Sequence, residues 1–394
     1  MGFRIVYLCP IFEEDDSAER TGWSDRQRAS GTDNPKNPYR MNNYFKIDSE
    51  YGTEDDLRAL TEAAHALDMK VLLDLVYLHI GPNAPILGRH PEFAKQAPDG
   101  TILNTMWHFP ALDFTSEGLR EYLFCNMIYY IGEIDGDGVP IDFWLEARRR
   151  MHRINPDAVL INEGCNWSYL LQGFDSSYCS AWHDVLYGIF TGKATMKDLT
   201  DLFGRLDVKV PAGAKLLFDI DNHDTVTDWP ERFEVLAGHD GMELVEVMTY
   251  LVDGIPMVYA GNELADTARV SMFANRFHPG KYETTDRHAT ADPAARERRV
   301  TLMNELNRLK RESDVLCYGR MEWLGHTEAE KVFAFARVQE GKHITFIGNL
   351  TGEAVETTLD EQPGGTIILS NNAENHPAGR VTLGAHGYLV FSEE

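Results

Sequence analysis

The segment Lys70-Val-Leu-Leu-Asp-Leu-Val-Tyr-Leu-His79 decides the fold class of this chain. Its apolar start has the length of one strand and shows no alternation of apolar and polar residues. Such a run is typical of a strand that is buried on both faces of a parallel sheet. Asp74 and His79 follow the run, and polar residues at the carboxyl end of a buried strand are where a β/α barrel carries its functional groups.

A helix is predicted directly before this strand, over residues 53–67. Thr53 can cap its first turn, and Asp56 stands three residues later, as in a capping box. Apolar residues then recur at helical spacing: Leu57, Leu60, Ala64 and Leu67. A helix followed by a strand that ends in polar residues is one unit of an α/β barrel.

Length and composition limit the possible functions. A chain of 394 residues is long enough for a barrel and a smaller domain. The net charge of −25 argues against nucleic acid as a partner, because phosphate binding needs a basic surface. No segment has the length of a membrane span, so no membrane association is expected. The five cysteines include no Cys-x-x-Cys pair, which predicts reduced thiols and a cytoplasmic location.

Further strands that end in polar residues extend the barrel pattern. They are predicted at Phe3–Leu8, Val159–Glu163, Ala214–Asp224 and Gly254–Glu263. We therefore predict a (β/α)8 TIM-type barrel over residues 1–316, with a loop-rich insertion at 80–115 after the third strand. Residues 13–38 are predicted to form a second long loop. From 317 to 394 short alternating strands predict a separate antiparallel β-sandwich domain.

Ionisable residues are concentrated at three of the predicted strand ends. These residues are Asp74 and His79, then Glu163, and finally His223 and Asp224. Two carboxyl groups and imidazoles suit glycoside hydrolysis, in which one carboxyl group protonates the leaving oxygen and another attacks or activates water. A divalent metal site is the competing interpretation. The spacings match no metal motif such as His-Glu-x-x-His, so we predict neither a metal ion nor an organic cofactor.

Four motifs, in order along the chain, resemble those of the α-amylase family, glycoside hydrolase family thirteen. Tyr39–Tyr44 is similar to the pattern Tyr-x-x-x-Asp-Tyr, and Asp74–His79 to Asp-x-x-x-Asn-His, with Leu78 in place of the Asn. Ile161–Glu163 resembles the strand end that carries the general acid. Phe218–Asp224 matches Phe-x-x-x-Asn-His-Asp. The resemblance runs over nearly the whole chain.

The resemblance implies a retaining α-glycosidase that acts on α-glucosidic bonds of starch- or glycogen-type oligosaccharides. Glu163 would be the acid/base. Asp224 would hold sugar hydroxyls and raise the pKa of Glu163 through its negative charge. His79 and His223 would donate hydrogen bonds to the same sugar, and Tyr39 would stack beneath its ring.

Two positions of the first motif carry further expectations. Asp74 is assigned to the substrate-binding site by the resemblance; the alternative is a buried polar residue at a strand end. Leu78 stands where the family often has an asparagine that binds calcium. Because leucine has no ligating atom, the sequence argues against that calcium site.

The family motif that carries the covalent nucleophile does not match. The family has Gly-x-Arg-x-Asp, whereas this chain has Gly138-Val-Pro-Ile-Asp142. Asp142 keeps the spacing of the nucleophile, but Pro140 replaces the arginine, and proline removes a hydrogen-bond donor from a strand. In the alternative interpretation, Asp142 begins a helix over 143–154, and the strand with the arginine and the nucleophile is absent from this sequence.

Two functions therefore stay open. One is the α-glycosidase; the other is a non-catalytic amylase-like protein that binds carbohydrate or a protein partner and has lost its nucleophile. Retention of Glu163 and Asp224 favours the enzyme, because a binding protein has no need of an acid/base. The family's first strand would have to precede Phe3, so we also expect residues to be missing from the recorded sequence. The sequence does not determine the linkage preference, the choice between hydrolysis and transglycosylation, or the oligomeric state.

Overall fold

The chain forms two compact units. The computed structural model describes residues 1–130, 141–164, 167–269, 271–275, 277–278 and 292–394. The amino-terminal unit comprises Phe3–Tyr178 and Val270–Thr285, and the carboxyl-terminal unit comprises Met1–Gly2, Cys179–Arg269 and Asp286–Glu394. The division into a barrel over 1–316 and a domain over 317–394 stays a prediction. Gly138 and Pro140 lie outside the described residues.

The amino-terminal unit alternates strands and helices. Its strands are β1 (Ile5–Leu8), β2 (Phe12–Glu14), β3 (Met41–Ile47), β4 (Lys70–Leu73), β5 (Ile161–Asn162) and β6 (Ser176–Ser177). Its α-helices are α1 (Asp25–Ala29), α2 (Glu54–Ala66), α3 (Pro85–Arg89), α4 (Glu117–Tyr130) and α5 (Ile141–Ile154), and 3₁₀ turns occupy Arg20–Gly22, Pro91–Phe93 and Trp167–Leu171.

The predicted buried strand is β4, the parallel partner of β1. Pairing runs from Ile5 opposite Lys70 to Leu8 opposite Leu73, and β5 pairs with β6, also in parallel. The predicted helix before β4 is confirmed as α2. Its capping box is complete: the Asp56 N–H donates to the Thr53 side chain, and the Asp56 carboxylate accepts from the Thr53 N–H.

The segment 13–38 was predicted as a loop and is more ordered than that. It contains the end of β2 and helix α1, and two buried side chains hold its backbone. The Gln27 amide donates to the carbonyls of Asn34 and Lys36, each at 3.0 Å. The Arg40 guanidinium donates to four backbone carbonyls and lies 3.5 Å from the buried Asp15 carboxylate. Satisfied buried donors of this kind order a segment that has no periodic pattern.

The carboxyl-terminal unit contains a parallel strand pair, several helices and an antiparallel sheet. Its helices are α6 (Ser180–Phe190), α7 (Met196–Lys209), α8 (His223–Asp228), α9 (Phe233–Leu251), α10 (Pro293–Glu312) and α11 (Asp314–Tyr318), with a 3₁₀ turn at Asn262–Leu264. The parallel pair is β7 (Leu217–Asp219) with β8 (Ile255–Met257). Helix α9 is interrupted at Gly238, whose φ of 68° favours glycine.

The predicted C-terminal β domain is antiparallel and consists of six strands. They are β9 (Arg320–Trp323), β10 (Val332–Gln339), β11 (Lys342–Asn349), β12 (Val355–Thr358), β13 (Thr366–Asn375) and β14 (Arg380–Ser392). The structure differs from the predicted sandwich in its hydrogen bonding, because the strands form one connected sheet. The reason is the long strand β14, which pairs with β11 along one half, with β12 along the other, and with β13 along both.

A buried arginine joins the sheet to the end of α9. Arg337, on β10, donates to the carbonyls of Leu251 and Val252 at 3.0 and 2.8 Å, and also to the carbonyl of Gly319. It forms an ion pair with Asp253 at 2.7 Å. Its guanidinium is fully buried and engages several acceptors at fixed angles, which a lysine could not do. No helix among the described residues combines the length and the apolar composition needed to cross a bilayer.

Candidate active site

Tyr39 and Asp74 meet at the carboxyl end of β4. The Tyr39 hydroxyl donates to Asp74 Oδ2 at 2.8 Å. Burial raises the pKa of the Tyr39 phenol well above its usual value, and the neighbouring Asp74, Cys9 and Glu163 groups raise it further. The structure therefore brings Tyr39 and Asp74 together within the amino-terminal unit, and the charge of Glu163 contributes to the raised pKa of the Tyr39 phenol.

His79 is held against the backbone of Tyr39. Its Nε2 lies 2.7 Å from the Tyr39 carbonyl oxygen, so Nε2 carries the proton and donates. Burial lowers the pKa of His79 to about 4, which leaves the ring neutral near pH 7. Nδ1 is then an acceptor, and it has no hydrogen-bond partner among the described residues. A ring in this tautomer would accept a hydrogen bond from a sugar hydroxyl, whereas the resemblance implied a donor.

Glu163 follows β5 directly and is partly exposed. The buried Asn162 beside it fixes the turn, since its amide donates to the Gly164 carbonyl at 2.8 Å and to Ser177 Oγ at 3.2 Å. Ser177 Oγ also donates to the Gly164 carbonyl. These contacts determine the direction in which the chain leaves β5, and hence where Glu163 lies. Sequence reasoning missed Ser177, because it is fourteen positions from Glu163.

A second set of buried polar residues supports the turn after β4. The Tyr44 hydroxyl donates to the carbonyls of Val76 and His79. Asn126, on α4, donates to the Tyr44 carbonyl at 2.6 Å and accepts a hydrogen bond from the Tyr77 hydroxyl. Only the pattern match at Tyr44 gave a signal for this set. Asn126 showed none, since a single polar residue on a helix is usually solvated.

In the carboxyl-terminal unit, His223 and Asp224 lie in the first turn of α8. The predicted strand 214–224 ends earlier, at Asp219, because Asn222 caps this helix. Asn222 Oδ1 accepts from the backbone N–H of Asp224 at 2.9 Å. His223 Nε2 lies 3.7 Å from Asp224 Oδ1, His223 is buried, and Asp224 keeps about a third of its side chain exposed.

Asp219 and His183 hold the cap of α8 in place. Asp219 Oδ2 accepts from the Asn222 amide at 2.8 Å and from His183 Nδ1 at 3.1 Å. Burial lowers the pKa of His183, but the hydrogen bond and negative charge of Asp219 outweigh it, so the net shift is upward. Sequence reasoning listed neither residue. Asp219 lies within the motif Phe218–Asp224, and its position on the strand was a usable signal.

Asp142 has the surroundings of a residue at the start of a helix. It lies in the first turn of α5, with 71% of its side chain exposed, and pairs with Arg120 at 2.7 Å. The hydrogen bond and positive charge of Arg120 lower the pKa of Asp142 despite the small opposing effect of burial. These surroundings agree with the alternative interpretation of Asp142. Its assignment as nucleophile stays a prediction.

Within either unit taken by itself, the described residues form no group of three His, Cys, Asp or Glu side chains that could share a metal ion. Leu78 packs against the apolar core of the amino-terminal unit. The absence of a metal stays a prediction.

Known proteins are similar to this chain both in sequence and in fold. The family model described as the α-amylase catalytic domain matches residues 1–96. A cyclomaltodextrinase of Thermoanaerobacter pseudethanolicus is 24% identical over 413 residues, covering 94% of this chain and 64% of the relative. Neopullulanase 2 of Thermoactinomyces vulgaris is 24% identical over 364 residues, covering 82% and 59%. The chain is therefore similar in sequence to proteins of the α-amylase family.

A solved structure is similar in fold to this chain over its whole length. A maltogenic α-amylase from Thermotoga neapolitana superposes with a TM-score of 0.79 at 22% identity, covering 100% of this chain and 91% of that one. The predicted fold class, a β/α barrel with a C-terminal antiparallel β domain, is confirmed. This chain spans about 60% of the length of the two curated relatives.

Proposed function

We propose that this chain is a retaining α-glycosidase that acts on α-glucosidic bonds of maltodextrin-type oligosaccharides. The observation that supports it most strongly is the Tyr39–Asp74 pair beside Glu163. It gives a carboxyl group at a strand end together with a held aromatic ring, as sugar cleavage requires. The names cyclomaltodextrinase and neopullulanase of two relatives support the substrate class.

Every predicted site residue except Asp142 has a role in this proposal. Glu163 protonates the leaving oxygen and later deprotonates water. Asp224 binds hydroxyls of the sugar whose bond is cleaved and stabilises its positive charge in the transition state. Tyr39 stacks beneath that sugar, while His79 and His223 bind its hydroxyls. Asp74 positions Tyr39 through their hydrogen bond.

The nucleophile is the role that the proposal leaves unassigned. Asp142 keeps the family spacing, but its exposure and its pairing with Arg120 support a helix-start role. A fluorinated maltosyl fluoride would form a slowly hydrolysed covalent intermediate on whichever carboxylate attacks. Peptide mass spectrometry then identifies the labelled residue. The anomer first released, followed by NMR, tests retention itself, and an inverted product would contradict the proposal.

The decisive experiment compares two substrates in a Glu163→Gln variant. Nitrophenolate leaves without protonation, so loss of the acid should reduce hydrolysis of maltohexaose far more than the first step on a nitrophenyl maltotrioside. We expect a loss of about 10³-fold on maltohexaose. Glu330→Gln, at an exposed glutamate, is the matched control and should keep wild-type rates. If wild type hydrolyses maltohexaose no faster than Glu163→Gln does, the proposed enzymatic activity through Glu163 is refuted.

A double-mutant test shows whether Glu163 and Asp224 act on the same bond. If both act on the same bond, the rate of the double variant Glu163→Gln/Asp224→Asn should be well above the product of the two single effects. Multiplicative losses would mean that the two residues act in separate steps.

The second candidate is a non-catalytic protein that binds carbohydrate, and the exposed position of Asp142 favours it. It predicts that maltohexaose binds without turnover above the level of Glu163→Gln. For location we propose the cytoplasm, supported by the five cysteines of the sequence, which include no Cys-x-x-Cys pair. The charge of −25 supports the expectation that no nucleic acid binds.

A further inference from the structure

A cavity of about 260 Å³ opens in the carboxyl-terminal unit where α7, the segment before β7 and strand β9 meet. Its lining includes Asp207 of α7, Leu216 before β7, and Trp323 of β9. We propose that this cavity is a second carbohydrate-binding site, which holds an α-glucan chain away from the residues that cleave it.

The cavity lies at the opposite end of β7 from His223 and Asp224. Ala214 and Leu216 line it and precede β7, and Asp253, which also lines it, precedes the parallel partner β8. His223 and Asp224 come after β7. Since active-site groups of a β/α barrel follow the carboxyl ends of the strands, the cavity is separate from the candidate active site.

Trp323 offers an aromatic surface that is already held in place. Its ring makes edge contacts with Phe203, at 5.6 Å and 75°, and with Phe333, at 5.4 Å and 67°. Nevertheless 46% of the residue is exposed. A pyranose ring has an apolar face of C–H groups, which can pack on such an indole. Because the ring is fixed beforehand, binding would cost little side-chain entropy.

The charged groups of the lining favour a neutral ligand with hydroxyl groups. Asp253 is compensated by Arg337 at 2.7 Å, and Arg320 is paired with Glu322. Asp207 is exposed and forms no ion pair with the residues that the structure describes. The Asp207 carboxylate can accept hydrogen bonds from sugar hydroxyls, and the Arg320 guanidinium can donate hydrogen bonds to them. An aromatic face beside such groups is the usual composition of a small-molecule site.

The volume suits one sugar ring of a longer chain. It is just below the range of roughly 300–1,000 Å³ that is common for ligand sites, so neighbouring sugars would lie along the surface. The choice of α-glucan as the ligand rests on the proposed function. A chain held here would stay near the enzyme between cleavage events, which raises its effective concentration.

The test measures binding of amylose to the full chain in native gels of graded amylose content. All variants carry Glu163→Gln, so that the ligand is not consumed. We expect Trp323→Ala to raise the dissociation constant at least fivefold and Asp207→Asn at least threefold. Tyr318→Ala, at another exposed aromatic residue of the same unit, is the matched control and should stay within twofold.

Each outcome decides the proposal. Trp323 packs on two phenylalanines, so if Trp323→Ala lowers the melting temperature, the exposed Asp207→Asn decides. Unchanged amylose binding in both variants would overturn the second site. Turnover of nitrophenyl maltotrioside by the chain with Glu163 intact tests the proposed function separately. If the chain hydrolyses nitrophenyl maltotrioside but neither variant changes amylose binding, only the second site is refuted. If amylose binding depends on Trp323 but the chain shows no hydrolysis, only the proposed enzymatic activity is refuted.

Discussion

The Tyr39 hydroxyl donates to the Asp74 carboxylate at 2.8 Å, across 35 positions of sequence, and the Tyr39 carbonyl accepts from His79 Nε2 at 2.7 Å. One tyrosine is thus held at both its side chain and its backbone by residues that follow β4. The bond to Asp74 orients the aromatic ring, and the bond from His79 fixes the tautomer of the imidazole. This coupling makes Tyr39 a sensitive point for mutation.

Replacing Tyr39 by phenylalanine removes the hydroxyl and keeps the ring. We expect kcat/KM for maltohexaose to fall about tenfold or more, because a hydrogen bond to a charged group contributes about 1.5–3 kcal/mol. Tyr129→Phe is the matched control, since the Tyr129 hydroxyl also donates to a carboxylate at 2.8 Å, that of Glu54, but at the surface. Wild-type kinetics in Tyr39→Phe would show that the Asp74 bond does not position the ring.

For Asp142 we expect a small effect of substitution by asparagine. The ion pair with Arg120 is exposed, so its loss should lower stability by at most about 1 kcal/mol and leave hydrolysis within threefold of wild type. Asp55→Asn, in the first turn of α2, is the control. A loss of more than a thousandfold in rate, at an unchanged melting temperature, would instead establish Asp142 as the nucleophile.

Glu14 should make stability depend on pH. Burial raises its pKa to about 8, although the hydrogen bond from Tyr51 opposes the shift. The folded chain therefore binds one proton more than the unfolded chain between about pH 4.5 and 8. The contribution of Glu14 to stability is complete below pH 4.5 and is lost as the pH rises through 8.

The variant Glu14→Gln removes this pH-dependent contribution to the free energy of unfolding. Its free energy of unfolding should fall less steeply with rising pH than that of wild type, by up to about 1.4 kcal/mol per pH unit between pH 5 and 8. Urea unfolding at several pH values measures the difference. Glu13→Gln, at the more exposed neighbouring residue, is the matched control. A parallel curve for Glu14→Gln would mean that Glu14 is ionised in the folded chain.

Replacement of Arg337 should destabilise the chain even when lysine takes its place. One ammonium group cannot reach the carbonyls of Leu251, Val252 and Gly319 together with Asp253, so buried acceptors would lose their donors. We expect Arg337→Lys to cost about 3 kcal/mol and to lower the melting temperature by several degrees. Arg308→Lys, at an exposed arginine of α10, should melt as wild type does. Equal melting of both variants would contradict this account.

The sequence was a good guide wherever neighbouring residues encode the structure. The capping box at Thr53 and the apolar run of β4 were predicted from adjacent positions and are present. The motifs around Tyr39, Asp74, Glu163 and Asp224 predicted the family. Predictions were poorest where periodicity was missing, as in segment 13–38, whose order depends on buried amide and guanidinium contacts.

What the sequence by itself determined, then, was the fold class, the resemblance to the α-amylase family and the candidate acid/base, because apolar patterns and short motifs are local. Only the tertiary structure decided that Tyr39 bonds to Asp74, that Ser177 fixes the turn at Glu163, and that Arg337 ties β10 to the end of α9. Such partners lie 13 to 86 positions apart. Hydrogen bonds between them depend on the path of the folded backbone, and no local preference specifies that path.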